Sequence, residues 1–460
     1  MDLLVPKLEK QIGIGIYAAK SPGIGGVIRQ RVDDFLVQEV LVDGSKVEIP
    51  PSNEYIALDA SSAPNRYLLC VLVKRNWDTF SALKAIAAQV GVSAERIQIG
   101  GIKDAKAVTA QHITIEGASV EDVKKVQVKD IRIRPVGYVR QKLSSYYVLG
   151  NSFHVTISSI NRSKATIINC LSQALGALKA IGGFPNFFGH QRFGTTRPIT
   201  HLVGKAIVNG NFKKAAMLFL ARSSLYEHPS SRQARQALRK SQDFQKALRD
   251  FPKQLRYERI LLGHLVKKPG DYVGAFKHLP MKLQELFPQA YQAYLFNRFL
   301  TGRVQDGFPL NEAVIGDFVV SVERSGLPMQ AMFKIVTAEN RKETNTLLNT
   351  WKMRLALPLI GFKQRLSQGA QGEIERQILE KEGATGEQFR INAIPDISLR
   401  GGLRTTVSPI EDFSMGQVVR NSEGPSKYEA RVSFTLYRSS YATIVLRELM
   451  KPRNPVKAGF

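Results

Sequence analysis

The chain has 460 residues, 43% of them apolar, more than one hydrophobic core usually organises, so two domains with separate cores are expected. Lysine and arginine number 65 against 39 acidic residues, and the resulting net charge of +26 repels itself unless a polyanion or counterions balance it; nucleic acid is the economical partner, a solvated basic surface the plain alternative. The two cysteines, Cys70 and Cys170, lie far apart in apolar stretches, which excludes a disulfide framework and a paired-thiolate metal site and points to a reducing compartment.

At the N-terminus no apolar core of a signal peptide is present, and no run of about eighteen apolar residues follows, so a cytoplasmic protein without a membrane span is expected. A strand is predicted within 27–40, where Val32, Phe35, Val37 and Val40 set the pattern after the glycine-rich turn at 23–26. A second follows at 67–73. Asp78, Thr79 and Ser81 offer caps to a helix whose apolar spacing runs over 83–90 and stops at Gly91. Short apolar runs at 97–101 and 112–115 read as strands, which leaves Lys103, Asp104, Ala105 and Lys106 in the loop between them. Strands at 131–139 and 153–157 and a helix at 165–181, ended by Gly182 and Gly183, complete a region that mixes the two element types without a regular βαβ repeat. From Ala215 helices take over, at 231–249, 255–266 and 284–299, followed by a β-flavoured stretch at 313–336 and a helix at 372–383. Strand character returns after 400–404, with good alternation at 428–436, and a helix at 441–450 closes the chain. The simplest division is a discontinuous α+β domain over 1–211 and 401–460, interrupted by an inserted domain over 212–400.

Two segments carry chemistry. In 100–111 the glycines Gly100 and Gly101 permit a tight turn and close approach to a ligand, and Asp104 sits between Lys103 and Lys106 in a positive field that also attracts phosphate. Such a carboxylate suits a nucleophile or base, and the plain alternative is a surface turn with a local ion pair. Segment 184–194 combines aromatic faces for stacking a base with the Asn186 amide for its edge and Arg192 for phosphate; aromatic residues packed in a core are the alternative. His190 and His201 stand alone, without a second ligand at metal spacing, so they read as structural or RNA-facing and no metal site is expected. No phosphate loop and no Gly-x-Ser-x-Gly elbow occurs.

The first segment resembles the signature of the TruD family of tRNA pseudouridine synthases, Gly-x-Lys-Asp-x-x-Ala-x-Thr-x-Gln, matched by Gly101, Lys103, Asp104, Ala107, Thr109 and Gln111. The second is similar to that family's Asn-Tyr-Phe-Gly-x-Gln-Arg-Phe-Gly, with Phe187 in place of the tyrosine. Four weaker matches follow the family order. Arg29, Asp34, Phe35, Val37 and Glu39 agree with one element while Val32 and Asp33 depart from it, and segments 150–153, 290–297 and 440–448 resemble three more. The aromatics of 290–297 are expected in the core of the inserted domain.

The resemblance implies an α+β pseudouridine synthase fold, a mixed antiparallel sheet with flanking helices, permuted so that the aspartate loop comes early, plus the family's inserted α+β domain. It implies isomerisation of uridine to pseudouridine in tRNA, at uracil 13 of the D arm, with other structured RNAs as further targets of some relatives. No cofactor and no metal are implied, because a glycosidic bond is broken and remade without redox change. Asp104 would be catalytic, and Asn186, Phe188, Lys103, Arg29, Gln191, Arg192 and Arg447 would bind substrate, Phe188 by stacking on the uracil. Lys103, Arg29 and Arg447 are all candidates for the cation that orients Asp104. Basic helices such as 232–240 would either grip RNA or form a solvated face. The inserted-domain match leans toward an archaeal member. The competing reading is a non-catalytic RNA-binding protein of the same fold.

Overall fold

The structure, a computed structural model, describes residues 4–49, 61, 63–421 and 424–460. Its strands in chain order are β1 Phe35–Leu41, β2 Tyr67–Arg75, β3 Ile97–Ile99, β4 Val108–Glu116, β5 Ile131–Val139, β6 Val148–Ile160 and β7 Phe184–Pro185. There follow β8 Phe318–Val322, β9 Pro328–Ile335, β10 Met353–Leu359, β11 Gly402–Thr405, β12 Val407–Ser408, β13 Glu411–Asn421 and β14 Gly424–Tyr437.

Eight strands form one mixed sheet in the order β13-β14-β6-β1-β4-β2-β5, with β3 added on β4. The β2 run Tyr67–Arg75 is apolar almost throughout because β4 and β5 flank it and both its faces are covered. Over Leu68, Cys70 and Leu72 packs the helix Thr79–Val90, capped by Asp78, whose carboxylate accepts from Ser81 N at 3.1 Å, and ended at Gly91. Each leucine or isoleucine fully buried there stabilises by ~1.5–3 kcal/mol. Toward the other edge, Phe35, Phe153 and Phe434 meet across β1, β6 and β14 at centroid distances of 6.1 and 5.6 Å, in one core with the helices Lys164–Ala180 and Ala442–Met450.

Every pair in this sheet is antiparallel except β1 with β4, where Leu36 lies opposite Val108. Parallel pairing sets the N-terminal ends of the two strands side by side. The turn before Phe35 and the loop before Val108 therefore come together although 75 residues separate Arg29 from Asp104.

A second sheet, β11-β10-β8-β9, draws on residues 318–405, and a two-stranded ribbon of β7 and β12 connects the segment after the helix Lys164–Ala180 to the return of the chain. The helix Met281–Gln305, longer than the expected 284–299, runs through the continuous core that joins the helical region to the main sheet. No helix among the described residues is long and apolar enough to cross a membrane. Cys70 and Cys170 are both buried free thiols.

Departures from expectation have local causes. Strand β1 begins only at Phe35, because Val32–Asp34 form a 3-10 turn in which the Asp34 carboxylate accepts from Arg31 N at 2.7 Å. The helix expected over 231–249 is two helices, Pro229–Ser241 and Phe244–Asp250: the backbone turns left-handed at Gln242 (φ +54°) and Asp243 caps the restart. Strands β10 and β13 and the helices Thr200–Val208, Phe212–Ala221 and Arg341–Asn349 were not anticipated.

Candidate active site

Asp104 lies in the loop between β3 and β4. Gly100 allows that loop to pack, since a Cβ there would stand 2.2 Å from Cγ2 of Val148, whereas a Cβ at Gly101 would meet only Lys103 Nζ, at 3.9 Å. The cation at Asp104 is Arg29, whose Nη2 donates to Oδ1 at 2.8 Å. Arg29 is itself clamped: its backbone is left-handed (φ +59°), its guanidinium lies 4.0 Å from the Phe35 ring centre, and Nη1 donates to Gly459 O at 3.0 Å. Burial lowers the Arg29 pKa while Asp104 opposes that shift; an arginine remains a cation under either influence. The Arg29 side chain is 9% exposed and that of Asp104 33%, and among the described residues Oδ2 of Asp104 has no hydrogen-bond partner. One oxygen is fixed; the other is presented to solvent.

Lys103 does not face Asp104. Its ammonium is buried and donates to Glu39 Oε1 at 2.6 Å, while the other Glu39 oxygen accepts from His112 N at 2.9 Å and pairs with Nδ1 of that ring at 3.0 Å. Burial works to raise the Glu39 carboxyl, but Lys103 and His112 outweigh it and hold it below the usual carboxylate range. Lys106 is exposed. The lysines that flank Asp104 in sequence therefore brace the loop or face solvent. Beneath the loop, buried Lys74 donates to Asp104 O and to Trp77 O, each at 2.7 Å, and burial pulls its pKa down to about 8.

The second segment is assembled as a rigid unit. Asn186 Nδ2 donates to Thr405 Oγ1 at 2.9 Å, its Oδ1 accepts from Arg404 Nη2 at 2.6 Å, and its backbone oxygen accepts from Arg404 Nε at 2.9 Å. The same Arg404 guanidinium covers Phe188, 4.0 Å from the ring centre, and burial pushes its pKa down to about 10. From the long helix Asn297 accepts from Phe188 N at 2.9 Å and donates to Phe188 O at 3.1 Å, and Phe296 meets the ring edge-on at 5.6 Å. Phe188 keeps 8% of its surface exposed, whereas Phe187 is wholly core. Arg192 reaches within 5.5 Å of the Phe188 centroid, and exposed Gln191 accepts from Thr443 Oγ1 at 3.2 Å. The last residues tie the two halves together: Ala458 O accepts from Ile28 N at 2.9 Å, Gly459 O from Arg29, and the Phe460 ring lies 5.9 Å from that of His190.

Arg447 does not join them. It has no exposed surface and donates to Glu9 at 2.8 Å, to Glu448 at 2.7 Å and to Ile16 O at 2.7 Å, with Tyr17 stacked at 3.8 Å. As a substrate contact or as the partner of Asp104 it is ruled out by its position in the core. His190 and His201 are also buried, with pKa values lowered by burial to about 3 and about 4, which makes them structural rather than RNA-facing. In the basic helix Pro229–Ser241, Arg235 is buried between Glu227 and Glu258, and only residues such as Arg239 and Lys240 face solvent.

Sequence reasoning missed three residues: Lys74, Asn297 and Arg404. Asn297 lay at the end of a matched segment, among apolar residues, and that was the available signal for it; Arg404 lay in the boundary run Arg400-Gly401-Gly402-Leu403-Arg404, which offered none. Tyr291 and Phe296 of the same matched segment are core, as expected.

A family model described as tRNA pseudouridine synthase D (TruD) matches residues 11–449. An archaeal relative from Methanosarcina mazei, named as a probable tRNA pseudouridine synthase D, is 37% identical over 98% of this chain and 99% of its own length. Another of that name from Thermococcus onnurineus is 34% identical over 95% and 97%. The crystal structure of a TruD candidate from Methanosarcina mazei superposes with a TM-score of 0.82 at 36% identity, covering 98% of this chain and 99% of that one. Sequence, fold and the extent of both matches agree that the chain belongs to the tRNA pseudouridine synthase D (TruD) family.

Proposed function

We propose that the protein isomerises uridine to pseudouridine in tRNA, at uracil 13 of the D arm, with Asp104 as the catalytic carboxylate. The observation that carries this reading is the Asp104 carboxylate itself, one oxygen held by buried Arg29 and the other accessible and without a partner among the described residues. The reaction breaks the N1–C1′ bond, turns the freed uracil and joins C5 to C1′; the C5 proton leaves to solvent and N1 takes one up, so the product is an isomer of the substrate. Asp104 Oδ2 acts at the ribose, either on C1′ or on the 2′ proton, and Arg29 fixes the carboxylate's orientation and balances its charge. Phe188 supplies a stacking surface for the base flipped out of the RNA, held in place by Arg404 and Asn297, and Asn186 is oriented through its bonds to Arg404 and Thr405. Gln191 and Arg192, at the rim, contact the nucleotide or its phosphate, and the excess of cationic residues holds the remaining RNA. Lys103 serves indirectly, by bracing the loop on Glu39.

The division into a catalytic domain of 1–211 and 401–460 and an inserted domain of 212–400 belongs to the same proposal; Asn297 would then be the insertion's contribution to the site. A cytoplasmic location suits this substrate.

Tritium release from a tRNA transcript labelled at uridine C5 tests the chemistry. Wild type should release it and Asp104→Asn should not. A transcript with cytidine at position 13 should release none; continued release from it would refute the position while leaving the chemistry in place.

A further inference from the structure

Between the second sheet and the β13–β14 edge of the main sheet lies a cavity of about 520 Å³ that the reaction above does not use. Trp351, one of the chain's two tryptophans, stands in its wall with 38% of its surface exposed. Its backbone is left-handed (φ +59°), a conformation costly for a bulky residue and kept only where the surroundings enforce it. Gly182 is part of that enforcement, because a Cβ there would stand 2.2 Å from Cζ2 of Trp351, so the indole seats only against bare backbone.

Beside it Arg354 is 6% exposed, with its guanidinium 5.3 Å from the ring centres of both Trp351 and Tyr437. Arg354 Nη2 donates to Gly326 O at 2.6 Å, but Nε is buried and has no acceptor among the described residues. A buried donor without a partner is destabilising, and a ligand acceptor would relieve that cost. Arg324 and Lys179 add positive charge to the wall, partly offset by Glu323 and Glu411.

The cavity adjoins the candidate active site through three chain segments. Gly182 precedes Asn186 by at most about 13 Å of extended chain, Pro409 follows Arg404, and Tyr437 precedes Tyr441, whose ring lies 6.2 Å from that of Phe188.

We propose that this cavity is a second nucleobase subsite, in which a base of the bound RNA near the reacting uridine stacks on Trp351, accepts a hydrogen bond from Arg354 Nε and leaves its phosphate toward Arg324. The subsite rests on the RNA substrate proposed above. A single stacked base strengthens binding by roughly tenfold, which anchors the strand on one side of the flipped nucleotide.

The test uses the full chain carrying Trp77→Phe, which keeps the backbone carbonyl that Lys74 contacts and leaves Trp351 as the only tryptophan. Transcribed tRNA should quench Trp351 emission with saturation, while UMP and AMP at the same concentrations should not. Trp351→Ala should raise KM for tRNA about tenfold with kcat nearly unchanged, and Trp351→Phe should restore most of the loss. Emission unaltered by saturating tRNA, quenching by mononucleotides alone, or a wild-type KM in Trp351→Ala would each overturn the subsite. Quenching by tRNA without tritium release would instead refute the Asp104 chemistry, because binding and turnover are read separately.

Discussion

Two arginine–carboxylate clusters in this molecule use the same functional groups to opposite ends. Around Arg447, Glu9 and Glu448 are paired at 2.8 and 2.7 Å with no exposed surface on any of the three side chains. At Arg29 the pair distance is also 2.8 Å, yet the carboxylate is one-third exposed and one of its oxygens has no partner among the described residues. Pair geometry therefore does not distinguish a buried strut from the reactive centre proposed at Asp104; the accessibility of a spare oxygen is what sets the two pairs apart. Burial raises Glu9 toward neutrality against the pull of Arg447, so the first cluster depends on keeping all its members.

Arg447→Ala would break the buried cluster and should cost about 3–5 kcal/mol in chemical denaturation, because two carboxylates lose their shared cation in the core. A cost below about 1 kcal/mol would mean that the cluster is not a strut. Arg29→Ala should act on the other quantity, lowering kcat by about 10²–10³-fold, as when one preorganised donor is lost from a site, with Arg29→Lys recovering part of it. If its kcat stayed within a few-fold of wild type, the orienting role would pass to another group. Phe188→Ala should lower kcat by roughly tenfold while changing tRNA affinity less, because stacking serves one nucleotide and phosphate contacts are spread over many. Equal losses in both would move Phe188 from the reacting base to general RNA binding.

The smallest expected effect concerns Lys74. Folding disfavours its charge, so its folded pKa of about 8 lies below the unfolded value. Between about pH 8 and 10.5 the unfolded chain holds a proton that the folded chain has lost, and this group then makes stability rise with pH. Turnover should fall over the same rise, as the ammonium under Asp104 discharges, and that step should vanish in Lys74→Met. A step unchanged in the variant would assign it elsewhere.

Asp104 and Phe188 were legible in the sequence because each sits in a short string whose residue types make sense together. Arg29, Lys103 and Arg447 were indistinguishable as partners for Asp104. The choice among them is made by the parallel β1–β4 pairing, which brings residue 29 to residue 104, by Glu39, which captures Lys103, and by the packing of the helix Ala442–Met450. These are contacts between distant parts of the chain. Arg404 and Asn297 were missed for the same reason, since each bonds to the 186–188 segment across more than one hundred residues. Element types were read well where the apolar run was continuous, as in β2 of the main sheet, and badly where one residue redirects the backbone, as at Gln242 between two helices of the helical region.

The most direct test of the central claim is tritium release from C5-labelled tRNA by wild type and Asp104→Asn, with the melting temperature of both recorded. An exposed carboxylate that is reactive rather than structural predicts full loss of release with a melting temperature close to wild type. Release by Asp104→Asn at the wild-type rate, or none by wild type from any tRNA, would contradict it.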